Sequence, residues 1–172
     1  MSCVSFSGGI SNDCANNMGG VTKLYLTDFA NVTSYTESGG TVSAITLTAS
    51  SYFYEFRFNR NSASFEETLS KSVENGSALW DQKVTVSIPK RDVAKRNTLA
   101  LLTQRDLAVV IKDSNGILWY LGAVEGMYLS EQKGTSGTKK EDGSKYELTL
   151  QGYEVNQAPA LASASIITAL LA

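Results

Sequence analysis

The feature that most constrains the fold is the strict alternation between Lys145 and Gln151. Tyr146, Leu148 and Leu150 share one face of an extended chain, and polar residues occupy the other face. This period of two predicts a half-buried strand and does not fit a helix, whose apolar face repeats about every 3.6 residues. A strand-like run, Gly126 to Ser130, precedes it, so the two segments are predicted to form an antiparallel hairpin.

The loop that joins these two strands, Glu131 to Ser144, is much longer than a hairpin turn requires. It is rich in Gly, Lys, Thr and acidic residues and contains no core-forming residue. Loops of this length inside a compact domain are usually functional or disordered. We therefore predict that the loop reaches a partner outside its own domain. Its predicted oligomer-interface residues are Lys133, Gly134, Lys139, Lys140, Glu141 and Asp142.

The same short-period pattern recurs along most of the chain. One segment, about 89–104, instead contains good helix formers after Pro89, with Ala94, Leu101 and Leu102 on one side. The predicted fold is therefore mainly β, an antiparallel β-sandwich or barrel with one flanking α-helix. The other predicted strands are Thr22–Thr27, Val42–Thr48, Tyr52–Asn59, Ser62–Ser72, Lys83–Ile88, Leu107–Ile111 and Ile117–Leu121.

An aromatic row gives the clearest alternation in the chain. Its members are Tyr52, Tyr54, Phe56 and Phe58. Equal parity places all four on one face, which we assign to the core or to a subunit interface. We also predict that Tyr52–Asn59 pairs with Ser62–Ser72 through a tight polar turn at Arg60-Asn61.

Composition argues against several classes of function. With 15 Lys plus Arg and 17 Asp plus Glu, the net charge of −2 provides no general attraction to nucleic acid or an anionic membrane. No apolar run is long enough to span a membrane, and the start of the chain lacks a signal-peptide pattern. We therefore expect synthesis in a cytoplasm, with no membrane partner.

Histidine is absent, which removes the Ser-His-Asp and Cys-His arrangements and imidazole metal sites. The acidic residues show no spacing typical of a catalytic pair. Cys3 and Cys14 cannot complete a metal site by themselves, because such sites need three or four ligands. We predict a protein that is not an enzyme and uses no cofactor or metal, with both cysteines as free, buried thiols. A disulfide closing a short loop is the alternative.

The chain ends in an uncharged apolar stretch. Its large aliphatic residues are Ile166, Ile167, Leu170 and Leu171, whose spacing places them on one side of a helix. Burying each is worth about 1.5–3 kcal/mol, so they are not expected to stay in water. They can fold back on their own domain or dock on a neighbouring subunit, and we predict the second. The predicted organisation is an N-terminal arm (1–20), a β-sandwich domain (21–157) and a C-terminal tail (158–172).

Both ends of the chain resemble a group of viral proteins. The start, from Met1-Ser2-Cys3 through Gly19-Gly20-Val21 to Leu24-Tyr25-Leu26, resembles virion structural proteins of phages that infect Bacteroidetes, including crAss-like phages. The ending, from Gly126 to Tyr146–Gly152, is similar to the same group. Tail tube and neck-ring proteins of tailed phages share a small β-sandwich or barrel with one flanking helix. The resemblance implies a structural role in a virion and no catalytic residues.

The resemblance also implies partners. These are copies of the chain in a ring or tube, and other tail or neck proteins of the virion. Genomic DNA would be only passing cargo in a lumen. The competing interpretation is a monomeric β-sandwich that binds carbohydrate or a receptor on a fibre or surface. Its stacking residues would be Trp80, Trp119, Tyr120 and Tyr128, although their place in alternating strands favours core packing.

Overall fold

The computed structural model describes residues 8–12 and 14–172. Short 3-10 turns lie at Phe29–Asn31 and Lys140–Asp142. The strands and helices are β1 (Val21–Asp28), β2 (Val32–Ser38), β3 (Thr41–Leu47), β4 (Tyr54–Phe56), β5 (Ala63–Ser72), β6 (Ser77–Pro89), α1 (Val93–Leu102), β7 (Leu107–Asp113), β8 (Leu118–Leu121), β9 (Tyr128–Thr135), β10 (Lys145–Glu154), β11 (Ala160–Leu161) and α2 (Ala164–Thr168).

The strands form two sheets. The larger has seven strands in the order β2-β3-β11-β8-β7-β1-β4, and the smaller has four in the order β5-β6-β10-β9. Strand pairing is antiparallel except between β3 and β11, which run parallel. The predicted mainly-β sandwich with a flanking helix is confirmed, and neither sheet closes into a barrel. The strand β2 was not predicted, because its alternation is weak and both faces are polar.

The first core lies between the two sheets, with α1 along one side. The alternation predicted for β6 and β10 is confirmed, because Val84, Val86, Leu148 and Leu150 are all fully buried there. From the larger sheet, Leu24 and Leu26 of β1 and Leu107, Val109 and Ile111 of β7 enter the same cluster. The apolar residues that recur at every second position are therefore the ones whose side chains face the opposite sheet.

The helix α1 begins later than predicted. The Asp92 carboxylate accepts a hydrogen bond from the Lys95 backbone N–H at 2.8 Å and caps the helix, while Pro89 ends β6. Leu99 and Leu102 face the first core. Leu101, predicted on the apolar side, is 61% exposed. That assignment was wrong because Leu102, its neighbour in sequence, takes the inward position.

A second core covers the other face of the seven-stranded sheet. Successive residues of β1 and β7 alternate between the two cores, so that Tyr25 and Val110 join the second while their neighbours join the first. The second core also contains Val42, Ile45, Phe53, Ala108, Leu118, Tyr120, Leu161 and Ile167. A sheet that is apolar on both faces needs a second cover, and here the C-terminal segment provides it.

The tail therefore folds onto its own domain. It starts as β11 between β3 and β8, and its Ile167 side chain is buried in the second core, with Ile166, Leu170 and Leu171 partly buried against the same cluster. At the far end, the Phe53 N–H donates to the Leu170 carbonyl at 2.8 Å, and the Ala172 N–H donates to the Phe53 carbonyl at 3.2 Å. The prediction that these residues dock on a partner subunit was wrong, because the chain's own sheet offers the apolar surface.

The aromatic row is split rather than buried on one face. Tyr52 and Tyr54 are 43% and 55% exposed, whereas Phe56 and Phe58 are partly buried against the first core. Phe53, which has the opposite parity, is fully buried. The core alternative was wrong for Tyr52 and Tyr54, because regular pairing lasts only for the three residues of β4, and the alternative of a subunit interface stays a prediction.

The predicted pairing of this segment with the following strand was also wrong. β4 pairs with β1, while β5 pairs with β6 in the other sheet. The chain crosses from one sheet to the other between them, and Asn61 in that connection has a φ of 58°. The tight turn therefore redirects the chain between layers and does not close a hairpin.

A polar cross-link joins the two sheets inside the sandwich. The buried Gln82 side chain donates to the Glu67 carboxylate at 3.2 Å and accepts from the Gly122 N–H at 3.1 Å. The same Glu67 oxygen accepts from the Ala158 N–H at 2.7 Å. These bonds connect β5 and β6 with the end of β8 and the start of the C-terminal segment. Buried polar groups that are satisfied in this way help to specify one packing arrangement.

One carboxyl group, that of Glu154, is buried and accepts hydrogen bonds from the N–H groups of Val124 at 3.1 Å and Glu125 at 3.0 Å. Burial raises the pKa of this carboxyl group, against the lowering effect of the N–H donors. Between the unfolded-state value of about 4.3 and the raised pKa, the folded state binds the proton more strongly, so stability falls as the pH rises. Glu154→Gln is expected to flatten this slope in denaturant titrations between about pH 4 and pH 7. Exposed Glu66→Gln should leave the slope in place.

Candidate interface

The hairpin β9–β10 projects a structured tip. β9 continues to Thr135, so the connecting segment is 136–144 and is shorter than the predicted loop Glu131 to Ser144. The Asp142 carboxylate accepts the N–H groups of Thr138 at 2.9 Å and Lys139 at 2.8 Å, and these bonds hold the pKa of Asp142 below its usual value. Residues 138–143 are all exposed. The tip is therefore shaped by its own hydrogen bonds rather than by the core.

The base of the tip is fastened to the connection between β6 and α1. The Ser144 carbonyl accepts the Lys90 N–H at 2.7 Å, and its hydroxyl oxygen accepts the Arg91 N–H at 3.2 Å. The Arg91 guanidinium carbon lies 5.4 Å from the centre of the Tyr146 ring, within the range of a cation–π contact. These contacts fix the direction in which the tip leaves the domain.

The structure divides the predicted interface residues into three places. Lys133 and Gly134 lie within β9, where they pair with Glu147 and Tyr146 of β10. Lys139, Lys140, Glu141 and Asp142 lie together in the exposed tip. The aliphatic residues of the tail lie on the second core. Lys133 and Gly134 are also exposed but belong to the paired strand, whereas the tip group projects beyond the sheet.

Both sheets are open. Among residues 8–12 and 14–172, β2 and β4 at the ends of the larger sheet, and β5 and β9 at the ends of the smaller, have a neighbouring strand on one side only. The outer backbone N–H and C=O groups of such strands can pair with another chain. β4 has only three residues, whereas β5 has ten. The four edges differ greatly in the length they offer a partner.

A groove of about 790 Å³ lies between α1 and the β1–β4 edge of the larger sheet. Its apolar lining includes Leu26, Phe56, Ile88, Leu99, Leu102 and Leu107, and the exposed Leu101 lies at its margin. Charged side chains around it are paired: Arg105 with Asp28, and Arg57 with Glu55 at 3.3 Å. Sequence analysis did not find this groove, because its walls come from five separate segments of the chain.

Thr27, at the end of the groove, pairs with Ala108 of the second core, so its side chain lies on the face of β1 away from the groove, and its hydroxyl is buried there without a hydrogen-bond partner among the described residues. Thr27 is 3% exposed. Leaving a buried hydroxyl unpaired costs about 1–3 kcal/mol.

No family model and no curated protein matches this chain significantly. Among the residues that the structure describes, no helix is both long and apolar enough to cross a membrane. In the same part of the chain, no three Cys, Asp or Glu side chains are grouped to hold a metal ion.

The N-terminal arm is exposed along its described length, residues 8–12 and 14–20. Its base is tied to the turn between β7 and β8: the Met18 N–H donates to the Asn115 side chain at 2.8 Å, and the Asn115 amide donates to Asn17 at 3.0 Å. Cys14 is exposed, which contradicts the expected buried thiol. Cys3, and with it the question of a disulfide, lies outside the described residues.

The proposed stacking residues are dispersed. Tyr120 is fully buried in the second core, as core packing predicts, and partly buried Trp119 donates its indole N–H to Asp113 at 3.2 Å. Tyr128 is exposed on the outer face of the smaller sheet beside exposed Tyr153. The remaining candidate, Trp80, is half-buried. Among these four residues and Tyr153, only Tyr128 and Tyr153 present adjacent, exposed aromatic rings.

Proposed function

We propose that the protein is a non-enzymatic structural protein of a phage virion, which assembles into a ring or tube of the tail or of the head–tail connector. The observation that carries this proposal is the hairpin tip at residues 136–144. Its shape is set by internal hydrogen bonds while it contributes nothing to the core. Fixing the conformation of a loop costs conformational entropy. A loop that is already ordered in the free protein does not lose this entropy on binding, and it therefore binds more tightly.

The open sheets support the same proposal. Exposed strand edges favour pairing with other chains, and proteins usually shorten, charge or cover them. In a ring or tube, a neighbouring subunit covers them. The resemblance of both chain ends to virion structural proteins agrees with this assembly. The C-terminal tail is left out of the proposal, because its apolar residues are used inside the domain.

Replacing residues 136–143 with a two-residue Asn-Gly turn is expected to abolish assembly and leave the fold intact. The tip supplies no core contacts, and shortening a surface loop changes the closure entropy by only about 1 kcal/mol. Size-exclusion chromatography with light scattering would report the oligomeric state, and thermal unfolding would report stability. A matched control replaces the turn 73–76 between β5 and β6 in the same way.

Normal rings or tubes from the tip-deleted variant would contradict a role of the tip in assembly. A wild-type chain that stays monomeric at all concentrations, alone and with other tail or neck proteins, would contradict the structural role itself. The control turn distinguishes loss of the tip from a general effect of loop shortening.

The second candidate function is a monomeric β-sandwich that binds carbohydrate or a receptor. It is favoured by the exposed Tyr128 and Tyr153 rings, since sugars stack on aromatic faces. Beside them, the Gln151 side chain donates to both Asp81 carboxylate oxygens at 2.9 and 3.0 Å and to the Tyr153 hydroxyl at 3.1 Å. A stable monomer that binds glycans, and loses binding on Tyr153→Ala, would favour this function over assembly.

A further inference from the structure

A smaller cavity of about 310 Å³ lies between the two sheets, at the foot of the N-terminal arm. Its walls include Phe65 and Glu67 of β5, and Ile111, Asp113 and Trp119 of the larger sheet. We propose that this cavity, the end pocket, receives the two lysines of the hairpin tip of a second copy. This inference rests on the proposed assembly through the tip and names the surface that the tip meets.

The end pocket carries two negative charges and no positive charge. Glu67 and Asp113 belong to its lining, which contains no described Lys or Arg. Within the described part of the chain, neither carboxylate forms a salt bridge. The hydrogen bonds that these two carboxylates accept come from neutral N–H groups. A cation that enters the pocket would therefore meet negative charge that nothing in the lining compensates.

One oxygen of Glu67 is left for such a cation. The two bonds that Glu67 accepts inside the sandwich, from Gln82 and from Ala158, both end at its Oε1. Its Oε2 accepts no hydrogen bond from a described residue and is not one of the fully buried atoms without a partner, so solvent reaches it. An ammonium group can bond to Oε2 while the bonds to Oε1 stay in place.

The aromatic walls of the pocket favour an organic cation. Phe65 and Trp119 are partly buried against the first core. The Trp119 indole N–H donates to Asp113 at 3.2 Å, which holds the ring beside this carboxylate. Aromatic faces attract the charged ends of Lys and Arg, and the aliphatic stem of Lys packs on apolar surface. The end pocket therefore combines the groups that bind a lysine side chain.

The hairpin tip presents the matching charges. Lys139 and Lys140 are adjacent and exposed, and neither forms a salt bridge among the described residues. The Asp142 carboxylate is occupied by backbone N–H groups within the tip. The tip therefore offers a partner two lysines and one free acid, Glu141. Two neighbouring lysines on a pre-shaped turn complement a pocket with two carboxylates.

The tip and the end pocket of one chain lie apart. The tip continues from the end of β10 at which Lys145 pairs with Pro89, whereas Glu67 pairs with Gln82, seven residues back along β6. This separation is about 23 Å along the strand. The bonds of Ser144 to the β6–α1 connection also hold the base of the tip at its own end. A second copy can meet the tip without breaking these bonds.

The contact has a direction, because the surface that gives the lysines differs from the surface that receives them. Each copy can insert its own tip into one neighbour and accept the tip of another. Repeated, such a head-to-tail contact produces a ring when the rotation closes and a filament when it does not. Both products fit the proposed ring or tube.

The direct test is crosslinking of the assembled protein with a water-soluble carbodiimide. The reagent activates a carboxylate, a lysine amine attacks it, and an amide forms while the carbodiimide leaves as a urea. Mixing unlabelled chains with an equal amount of nitrogen-15-labelled chains identifies links between copies by mass spectrometry. We expect amides that join Lys139 or Lys140 of one copy to Glu67 or Asp113 of another. Coupling of the tip lysines only to other carboxylates, or to none, would overturn the contact.

Charge substitutions provide a second measurement. Lys139→Glu combined with Lys140→Glu, or Glu67→Gln alone, is expected to raise the concentration needed for assembly about tenfold or more, because each change removes one partner of the charge pairs. Gln at position 67 keeps an oxygen for the internal bonds, so thermal unfolding should change little. The matched controls are Glu141→Gln in the tip and Glu66→Gln on β5, an exposed residue outside the pocket lining. Both controls should assemble normally.

The outcomes separate this contact from the proposed function. If the lysine and Glu67 variants assemble like the wild type while the tip-deleted variant fails, the tip binds elsewhere and the structural function stands. If the wild type stays monomeric, alone and with other tail or neck proteins, both the contact and the function are wrong.

Discussion

Phe53→Ala is expected to destabilise the domain by about 3–5 kcal/mol, as truncation of a large core aromatic does. Phe53 is fully buried in the second core, and its backbone is bonded on both sides to the C-terminal segment. The substitution leaves a cavity under the tail that cannot collapse without moving these backbone contacts. Urea unfolding followed by far-ultraviolet circular dichroism would measure the loss.

Tyr52→Ala is the matched control for this prediction. The two aromatic residues are adjacent, but Tyr52 is 43% exposed and its truncation should cost less than about 1 kcal/mol. A loss below about 1 kcal/mol for Phe53→Ala would mean that the tail does not cover this face of the sheet. The second core would then have to be closed by a partner subunit.

Gly122→Ala is expected to cost about 2–5 kcal/mol. An added Cβ atom would lie 2.7 Å from the Gly126 carbonyl carbon and 2.8 Å from Cγ of the buried Met127. Overpacking of this kind costs about 1–3 kcal/mol, and the φ of 64° adds about 1–2 kcal/mol for a residue with a side chain. The Gly122 N–H is also a donor in the cross-link to Gln82, so displacement would disturb the contact between the sheets.

Gly76→Ala separates the two contributions. Gly76 has the same φ of 64°, but no atom lies within 4 Å of an added Cβ. It should therefore lose only the conformational part, about 1–2 kcal/mol. Equal losses at the two positions, measured by urea unfolding, would show that the surroundings of Gly122 yield easily and that the close approach to Met127 is unimportant.

Strands buried on one or both faces could be predicted from the sequence, because the positions of their apolar residues indicate which side chains face a core. The alternation of Val84, Val86 and Ile88 and the apolar run of β7 are of this kind. The assignment of β4 failed because pairing there is set by β1 and by the tail, both distant in sequence. Parity alone could not reveal that Phe53, rather than its aromatic neighbours, turns inward.

The candidate interface was less predictable. The exposed, polar character of the hairpin tip could be derived from its composition, but the hydrogen bonds that Asp142 makes within it could not. The groove has no sequence signature, since its apolar lining consists largely of first-core residues from segments that come together only in the folded chain. Of the aliphatic residues of the tail, which were expected to leave water, Ile167 is buried and Ile166, Leu170 and Leu171 are partly buried. Their partner could not be derived without knowing that the larger sheet is apolar on both faces.

The position of β11 has a consequence for the order of folding. Among the described strands, the β2–β3 hairpin is joined to the rest of the larger sheet only through Ala160 and Leu161. Residues near position 41 pair with β2 locally but must wait for residues near position 160 before they acquire a neighbour on their other side. Pairings between such distant segments carry a large loop-closure cost and fold slowly. During synthesis the hairpin stays without this neighbour until nearly the whole described chain has been made.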